Sequence, residues 1–495
     1  MSDGPGGWLR DLPGRLAGLF KSRDEFDLTE GGIGWPLFYL SLPIVVTNLL
    51  QTAYNLADTF WLGRYSKEAL AAISFGFPMV FLLISLGMGL SVAGSVLVAQ
   101  HTGADQRREA EYAAAQTLSF SVIASLGLGA VGYLFVGDFL EVLGAEPAVL
   151  PLATGYMEVI SLGLVFMFGF FVFISLMRGY GDTLTPMLVM FGTVALNVVI
   201  DPLLIFGVGP IPRMGVEGAA VATVFSRALA MVVGLGILFG DARGITVRPG
   251  DLVPDLGYLP RLLRLGAPAS IEGTSRALSI NLLMFIVGSF STTVVAAFGI
   301  GVRIFSVVFL PAIAVARGVE TMTAQNLGAG HEDRAGATMG FAAKVMFLVL
   351  TGVGVVTFVF APTIVAVFAE SEEVVEVGTA FLRFVALTFG FTGIMRSYVG
   401  GIRGAGKTMT AAAIAIVTLG FVRLPAAWLG AESFGTDGLF ASFIVSNVVG
   451  AVVAYLWFRR GTWRRADLTE EGTPADVDET LLEGEAEAAG EAGGD

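Results

Sequence analysis

The chain has 495 residues, 55% hydrophobic and only 14% charged, with a mean hydropathy of +0.76. Soluble domains carry roughly 25% charged residues, so this composition excludes a soluble globular protein and defines an integral membrane one. Zero Cys excludes disulfides and thiolate metal sites, and the net charge of −13 resides largely in residues 466–495, which hold eleven acids and no Lys or Arg.

In chain order, residues 1–30 form an N-terminal segment. Its WLRDLPGRLAGLF, broken by charges and Pro13, lacks the apolar run of a signal peptide and suits a short amphipathic helix at the membrane surface. Stretches long enough to cross a bilayer core of about 30 Å follow, at 36–62, 69–99, 112–136, 150–177, 184–207, 215–239, 259–287, 293–322, 338–368, 377–402, 409–430 and 438–458. Such continuous apolar runs read as helices, because barrel strands alternate over about ten residues. The expected fold is therefore all-α: twelve transmembrane helices in two six-helix lobes around a central cleft. The lobes cover 31–240 and 259–460, with an inter-lobe loop at 241–258 and an acidic tail at 461–495. That tail, rich in Glu, Ala and Gly, has almost nothing apolar to bury and is read as solvated and disordered. Abundant acids and only four Lys would suit a high-salt cytoplasm. Basic residues set the orientation: with the termini inside, the outer segments carry only Arg64, Lys67 and Arg213, so both termini are expected in the cytoplasm of a plasma-membrane protein.

The two lobes are copies of one unit. Pro43 and Pro268, Gly63 and Gly288, Gln100 and Gln325, Arg178 and Arg403, Gly179 and Gly404, and Thr183 and Thr408 all stand 225 residues apart. VAQHTGA matches TAQNLGA, RGYGDT matches RGAGKT, and GVEGAAVATVFSR matches GTDGLFASFIVSN after a small loop deletion. Six spans per copy give both copies the same orientation, related by an axis along the membrane normal.

The duplication is also an internal control. Asp58, in the first span, and Asp201, in the fifth, are acids placed in apolar runs, where an ionised carboxylate costs at least about 2.5 kcal/mol unless it faces a wet cavity or a cation. Under the offset Asn55, Asp58, Asn197 and Asp201 correspond to Ile280, Leu283, Val422 and Ala426, so the fold itself does not require polar groups there. Asn48, Gln51, Asn55 and Asp58 step by three, four and three along one helix face, and Asn197 and Asp201 share a face four apart. Tyr54, Tyr156, Met187 and Met190 add hydroxyls and soft apolar surface to the same lumen or serve as ordinary packing. Oxygen ligands without thiolates or paired His suit a hard monovalent cation or a proton. The competing structural reading makes Asp201 the end of a helix before Pro202.

Residues 401–408, GIRGAGKT, satisfy the phosphate-loop pattern. That loop functions between a β-strand and a helix; here it joins two spans, and its repeat partner carries Asp182 in place of Lys407. It is read as a tight turn anchored by Arg178 and Arg403, not as an ATP site. Glu272 with Arg276, and Arg317 with Glu320, can neutralise each other along one helix. Arg303, Arg383, Arg396 and Arg423 have no local partner and would suit a wet, basic cavity wall. His101 and His331 are read as surface loop residues.

AYNLADTFWLG on the first span, AQHTGA after the second, RGYGDTLTP before the fifth and LNVVIDPLLIFG along it resemble the multidrug and toxic compound extrusion family, over roughly residues 30–460. The chain looks most like the DinF-type branch. The resemblance implies a coupling site for Na+ or H+ at Asp58, Asn197 and Asp201, with Thr223 on the sixth span as a further sodium ligand. It also implies a hinge at Pro43 and lumen positions at Gln51 and Tyr54. A NorM-type site would need acids on the seventh and tenth spans, a pattern Glu272 and Glu376 do not reproduce. The implied function is a secondary antiporter, not an enzyme, that exports amphipathic, cationic organic compounds. It would work as a monomer among membrane lipids, with no cofactor, ATP or nucleic acid. The alternatives are a lipid or lipid-linked sugar flippase using Arg303 and Arg396, and an intramembrane enzyme or a passive channel.

Overall fold

The computed structural model describes residues 20–142, 144, 146–240 and 244–464. The expected N-terminal surface helix and the acidic tail lie outside these residues for nearly all their length. No strand occurs among the described residues.

The first lobe contains α1 (Gly34–Tyr65), α2 (Lys67–Gly103), α3 (Arg107–Val142), α4 (Leu150–Leu162), α5 (Leu164–Tyr180), α6 (Leu184–Phe206) and α7 (Val216–Phe239). The second contains α8 (Leu259–Val287), α9 (Thr292–Val308), α10 (Leu310–Gly328), α11 (Glu332–Ala366), α12 (Glu372–Ala386), α13 (Phe389–Gly404), α14 (Thr408–Ile416) and α15 (Leu424–Arg460), the last two joined by a π-helical stretch Val417–Arg423. Three spans are bent pairs: α4 with α5 by 54°, α9 with α10 by 40°, and α12 with α13 by 49°. The continuous stretch 408–460 turns back at Gly435, whose φ of 60° combined with ψ of −136° is open to glycine alone among common residues, so it makes two crossings. With α8, whose charges lower its hydropathy, the crossings among the described residues number twelve, as the sequence predicts.

The backbone repeats as the sequence does. Asp105 and Gly330, 225 positions apart, both take left-handed conformations, with φ of 59° and 75°; Gly181 and Gly406 do the same at 102° and 75°. Gly215 (φ 58°, ψ −128°) and Gly435 (φ 60°, ψ −136°) are matching turns before the sixth and twelfth spans. Outer faces of the spans expose apolar side chains such as Phe285, Leu348, Val355 and Phe360, as lipid contact requires.

The lobes meet at the end of the bundle that carries the first and last described residues and most of the described Arg and Lys residues, here the basic end. Gln100 Nε2 donates to Gly404 O at 3.1 Å, and its repeat partner Gln325 Nε2 donates to Gly179 O at 2.9 Å and Tyr180 O at 3.0 Å. The two bonds are exchanged by the pseudo-twofold axis. Gly103 and Gly328 permit this approach: a Cβ on Gly103 would lie 1.9 Å from Gln325 O, and one on Gly328 1.9 Å from Gln100 O. Midway along, α2 crosses α8 at Gly89 and Gly266, and Ser270 Oγ donates to Leu86 O at 2.7 Å. Residues before α1 reinforce the basic end: Leu28 is buried in second-lobe packing, Asn326 Nδ2 donates to Leu28 O at 2.9 Å, and Arg334 donates to Glu30 O at 2.7 Å and Gly31 O at 2.6 Å. Apart from the Ser270 bond midway along, these bonds lie at the basic end and hold the lobes together there. The inter-lobe loop, with a 3-10 turn at Pro249–Leu252, is strapped to α3, where Gln116 Nε2 donates to Asp251 O and Val253 O and Ser119 Oγ to Leu252 O.

Candidate ion and substrate site

In the first lobe, α1, α4, α6 and α7 enclose a polar chamber. Asp58, Tyr54, Tyr156, Asn197, Asp201 and Thr223 are all buried, Asn197 and Asp201 completely. Asn197 Nδ2 donates to Asp201 Oδ1 at 2.9 Å, and Thr223 and Asp201 both face Asp58. Five buried oxygens here, Asp58 Oδ1, Asp201 Oδ2, Asn197 Oδ1, Tyr54 Oη and Thr223 Oγ1, make no hydrogen bond of good geometry, although Asp58 lies close to Asp201 and Thr223, and Tyr54 close to Thr223 and Arg227. A buried polar atom without a partner carries a desolvation cost of about 1–3 kcal/mol. A converging set of orphaned oxygens is therefore a place that a cation or a proton stabilises.

Asp201 does not end its helix: α6 continues through Pro202 to Phe206, which rules out the terminating role. Pro43 sits inside α1, and Thr47 Oγ1 donates to Pro43 O at 2.8 Å, one turn on. Asn55 is exposed and accepts from Gln51 Nε2 at 3.2 Å, so it continues the stripe at its exposed edge.

One member of the site escapes sequence reasoning. Arg227 on α7 is 2% exposed and stands over the Tyr54 ring at 4.6 Å and the Phe170 ring at 5.3 Å. Its Nη2 donates to Gln51 Oε1 at 2.8 Å and its Nη1 approaches Met190 Sδ at 3.4 Å. A signal existed: the aligned strings ending VFSR and IVSN set Arg227 against Asn447, the same lobe asymmetry that singles out Asp58.

The second lobe shows what the fold does without this chemistry. Leu283, Phe381 and Phe443 occupy the places of Asp58, Tyr156 and Thr223, inside a cluster with Phe298, Phe309, Phe389 and Phe440. The Phe381 and Phe443 centroids are 5.3 Å apart, edge to face. One lobe packs rings where the other holds a chamber.

Between the lobes lies a cavity of about 230 Å³, lined by Asn48, Gln51, Ser91, Met190 and Arg178 from the first lobe and Ile313 and Arg317 from the second. Arg178 and Arg403 therefore do not anchor a surface turn, as the sequence suggested. Arg178 lines the cavity, and Arg403 is buried, donating to Glu272 Oε1 and Oε2 at 2.8 and 2.6 Å and to Glu320 Oε2 at 3.2 Å. The expected pairs Arg276–Glu272 (3.3 Å) and Arg317–Glu320 (2.8 Å) form, and Arg403 joins them into one network. Arg423 is satisfied by Ser446 Oγ and Asn447 Oδ1 at 2.8 and 2.7 Å, while Arg303 and Arg383 are exposed. His101 is not a surface residue: it is buried, with Nδ1 2.7 Å from Gln106 Oε1. Residues 401–408 span the end of α13 and a turn, with no strand before them. Removing one partner of a buried ion pair costs about 3–5 kcal/mol, so Glu272→Gln should lower the melting temperature of the purified protein markedly; an unchanged melt would show that the network adds no net stability.

The fold and the chamber define a two-lobed membrane transporter rather than an enzyme. Residues 43–203 and 268–429 each match the MatE family, one match per lobe, and the chain belongs to this multidrug and toxic compound extrusion family. It is 28% identical to the FAD transporter of Shewanella oneidensis over 88% of this chain and 97% of that one, and 29% identical to the probable multidrug resistance protein YpnP of Bacillus subtilis over 90% and 99%. The Vibrio cholerae MATE transporter VcmN in its bent form superposes with a TM-score of 0.79 at 24% identity, over 87% of this chain and 97% of that one.

Proposed function

We propose that this protein is a secondary antiporter that exports amphipathic organic compounds in exchange for Na+ or H+, the ion being taken at Asp58, Asn197 and Asp201 with Thr223 and Tyr54 beside them. The observation that carries the reading is the convergence of five partnerless buried oxygens in one lobe, opposite an aromatic plug in the other. Two carboxylates in one dry chamber repel each other, and a proton, a sodium ion or the Arg227 charge relieves that repulsion. Na+ would find carboxylate, amide and hydroxyl oxygens of the kind hard cations select.

By the distribution of Arg and Lys, the basic end is cytoplasmic. The cleft is then closed toward the cytoplasm and set to release substrate outside. Ion binding can drive the return only by binding one state more tightly than the other. Pro43 lacks the N–H that would otherwise hold α1 straight, so a change at Asp58 can bend the helix that also carries Gln51 into the cavity. Cationic drugs, which the sequence resemblance implies, suit the two carboxylates. The drug and FAD transporters to which the chain is similar lend no support to a lipid flippase.

Proteoliposomes loaded with a fluorescent organic cation or a flavin should show counter-transport that starts only when a Na+ or pH gradient is imposed. Equal flux with and without gradients would indicate a channel and defeat the proposal.

A further inference from the structure

Arg178 and Arg403 are the same residue of the repeated unit, yet their surroundings differ. Arg403 is held by Glu272 and Glu320. Counting back 225 residues, those two acids become Thr47 and Ser95, so the first lobe offers Arg178 no carboxylate. Arg178 Nη2 reaches only Ser175 Oγ, at 3.2 Å, and its Nε has no partner. Thr47 lines the same cavity as Arg178. So do Arg317 and Asn48, whose Nδ2 also lacks a partner. No Asp or Glu lines the cavity among the described residues. The surrounding charge has the same sign: Arg178, Arg276, Arg317, Arg396 and Arg403 lie within Coulombic reach of one another in a chain of neighbours, with Glu272 and Glu320 as the carboxylates among them.

We infer that this cavity is an anion subsite, in which Arg178, assisted by Arg317 and Asn48, takes the phosphate or carboxylate of an amphipathic substrate in the place that Glu272 fills for Arg403. The inference rests on reading the cleft as the transport path, and it moves the preferred substrate from a pure cation to a compound with an anionic head. At about 230 Å³ the cavity is smaller than the roughly 300–1,000 Å³ of pockets that enclose a whole drug-sized ligand. It therefore holds a head group, with the apolar body of the ligand extending into the open cleft. Gln51 connects this subsite to the ion chamber, since it lines the cavity and accepts from Arg227, which stacks on Tyr54.

The test uses flavin mononucleotide against riboflavin, the same ring system without the phosphate, binding to the full-length protein in nanodiscs of zwitterionic lipid and followed by flavin fluorescence. The wild type should bind the phosphorylated flavin at least tenfold more tightly. Arg178→Gln should remove that preference and Arg178→Lys restore part of it. Thr47→Glu, which installs the second lobe's carboxylate beside Arg178, should abolish it while the protein stays monodisperse, which keeps the test decisive if Arg178→Gln does not fold. If adding phosphatidylglycerol to the discs erases the preference, the subsite is real and a lipid headgroup is its occupant. Equal binding of the two flavins in the wild type, or a preference that survives both Arg178→Gln and Thr47→Glu, overturns the inference. Because binding is measured without gradients, its failure leaves ion-driven export to be judged separately by flux.

Discussion

Asp58→Asn and Asp201→Asn should each stop ion-driven export while leaving the protein in the membrane at wild-type abundance. The substitution keeps shape and removes the one property a coupling site needs, a charge that a proton or sodium ion can neutralise. Both side chains are buried, Asp201 completely, and neither makes a direct salt bridge among the described residues; Arg227, the nearest buried cation, keeps its hydrogen bond to Gln51 and its stacking on the Tyr54 and Phe170 rings, so the variants are expected to remain folded. The expected fall in gradient-driven flux is on the order of 100-fold, equivalent to about 2.7 kcal/mol of lost discrimination between the two states. The matching substitution in the other lobe, Leu283→Asp, should instead destabilise, because it places an acid among phenylalanine rings. Flux in proteoliposomes, normalised to protein incorporated, decides the matter. Normal transport by both Asp variants would move the coupling site elsewhere.

Much of this arrangement was legible in the sequence because duplication supplies its own comparison. The offset of 225 placed Asp58, Asn197 and Asp201 opposite apolar residues, and the structure gathers the three into one chamber. Twelve crossings followed from hydropathy, since lipid contact enforces long apolar runs. What was hidden depended on contacts between distant spans. Nothing local announces that Arg403 is shared by α8 and α10, because its partners are 131 and 83 residues away. A one-helix reading of Glu272 with Arg276 is correct and incomplete. Arg227 was obscured for another reason: the neighbours its guanidinium bonds to and stacks on are an amide, a thioether and aromatic faces, so no acid close to it in the sequence marks the site. His101 was misplaced because proximity to Gly103 suggested a loop, whereas the helix runs on to that glycine.

Gly103→Leu should hold the basic end open and halt the cycle. Its Cβ would stand 1.9 Å from the main-chain oxygen of Gln325, and backbone cannot swing aside as a side chain does, so relief requires the lobes to part. Alternating access depends on two states separated by only a few kcal/mol, far less than such an overlap costs. Gln100→Ala with Gln325→Ala tests the same closure more gently. It removes hydrogen bonds that contribute about 0.5–1.5 kcal/mol each and leaves the carbonyls of Gly404 and Gly179 short of a donor. Together these should shift the balance toward the open basic end by roughly 10- to 100-fold, while the single variants, related by the pseudo-twofold, should have similar and smaller effects. The chain contains no Cys, so spin labels introduced by Arg107→Cys and Glu332→Cys report on the two lobes without background. Pulsed EPR should show a short distance in the parent protein, a long one in Gly103→Leu, and a mixture in the double Gln variant. Identical distance distributions in all three would mean that this symmetric contact accompanies closure without setting it.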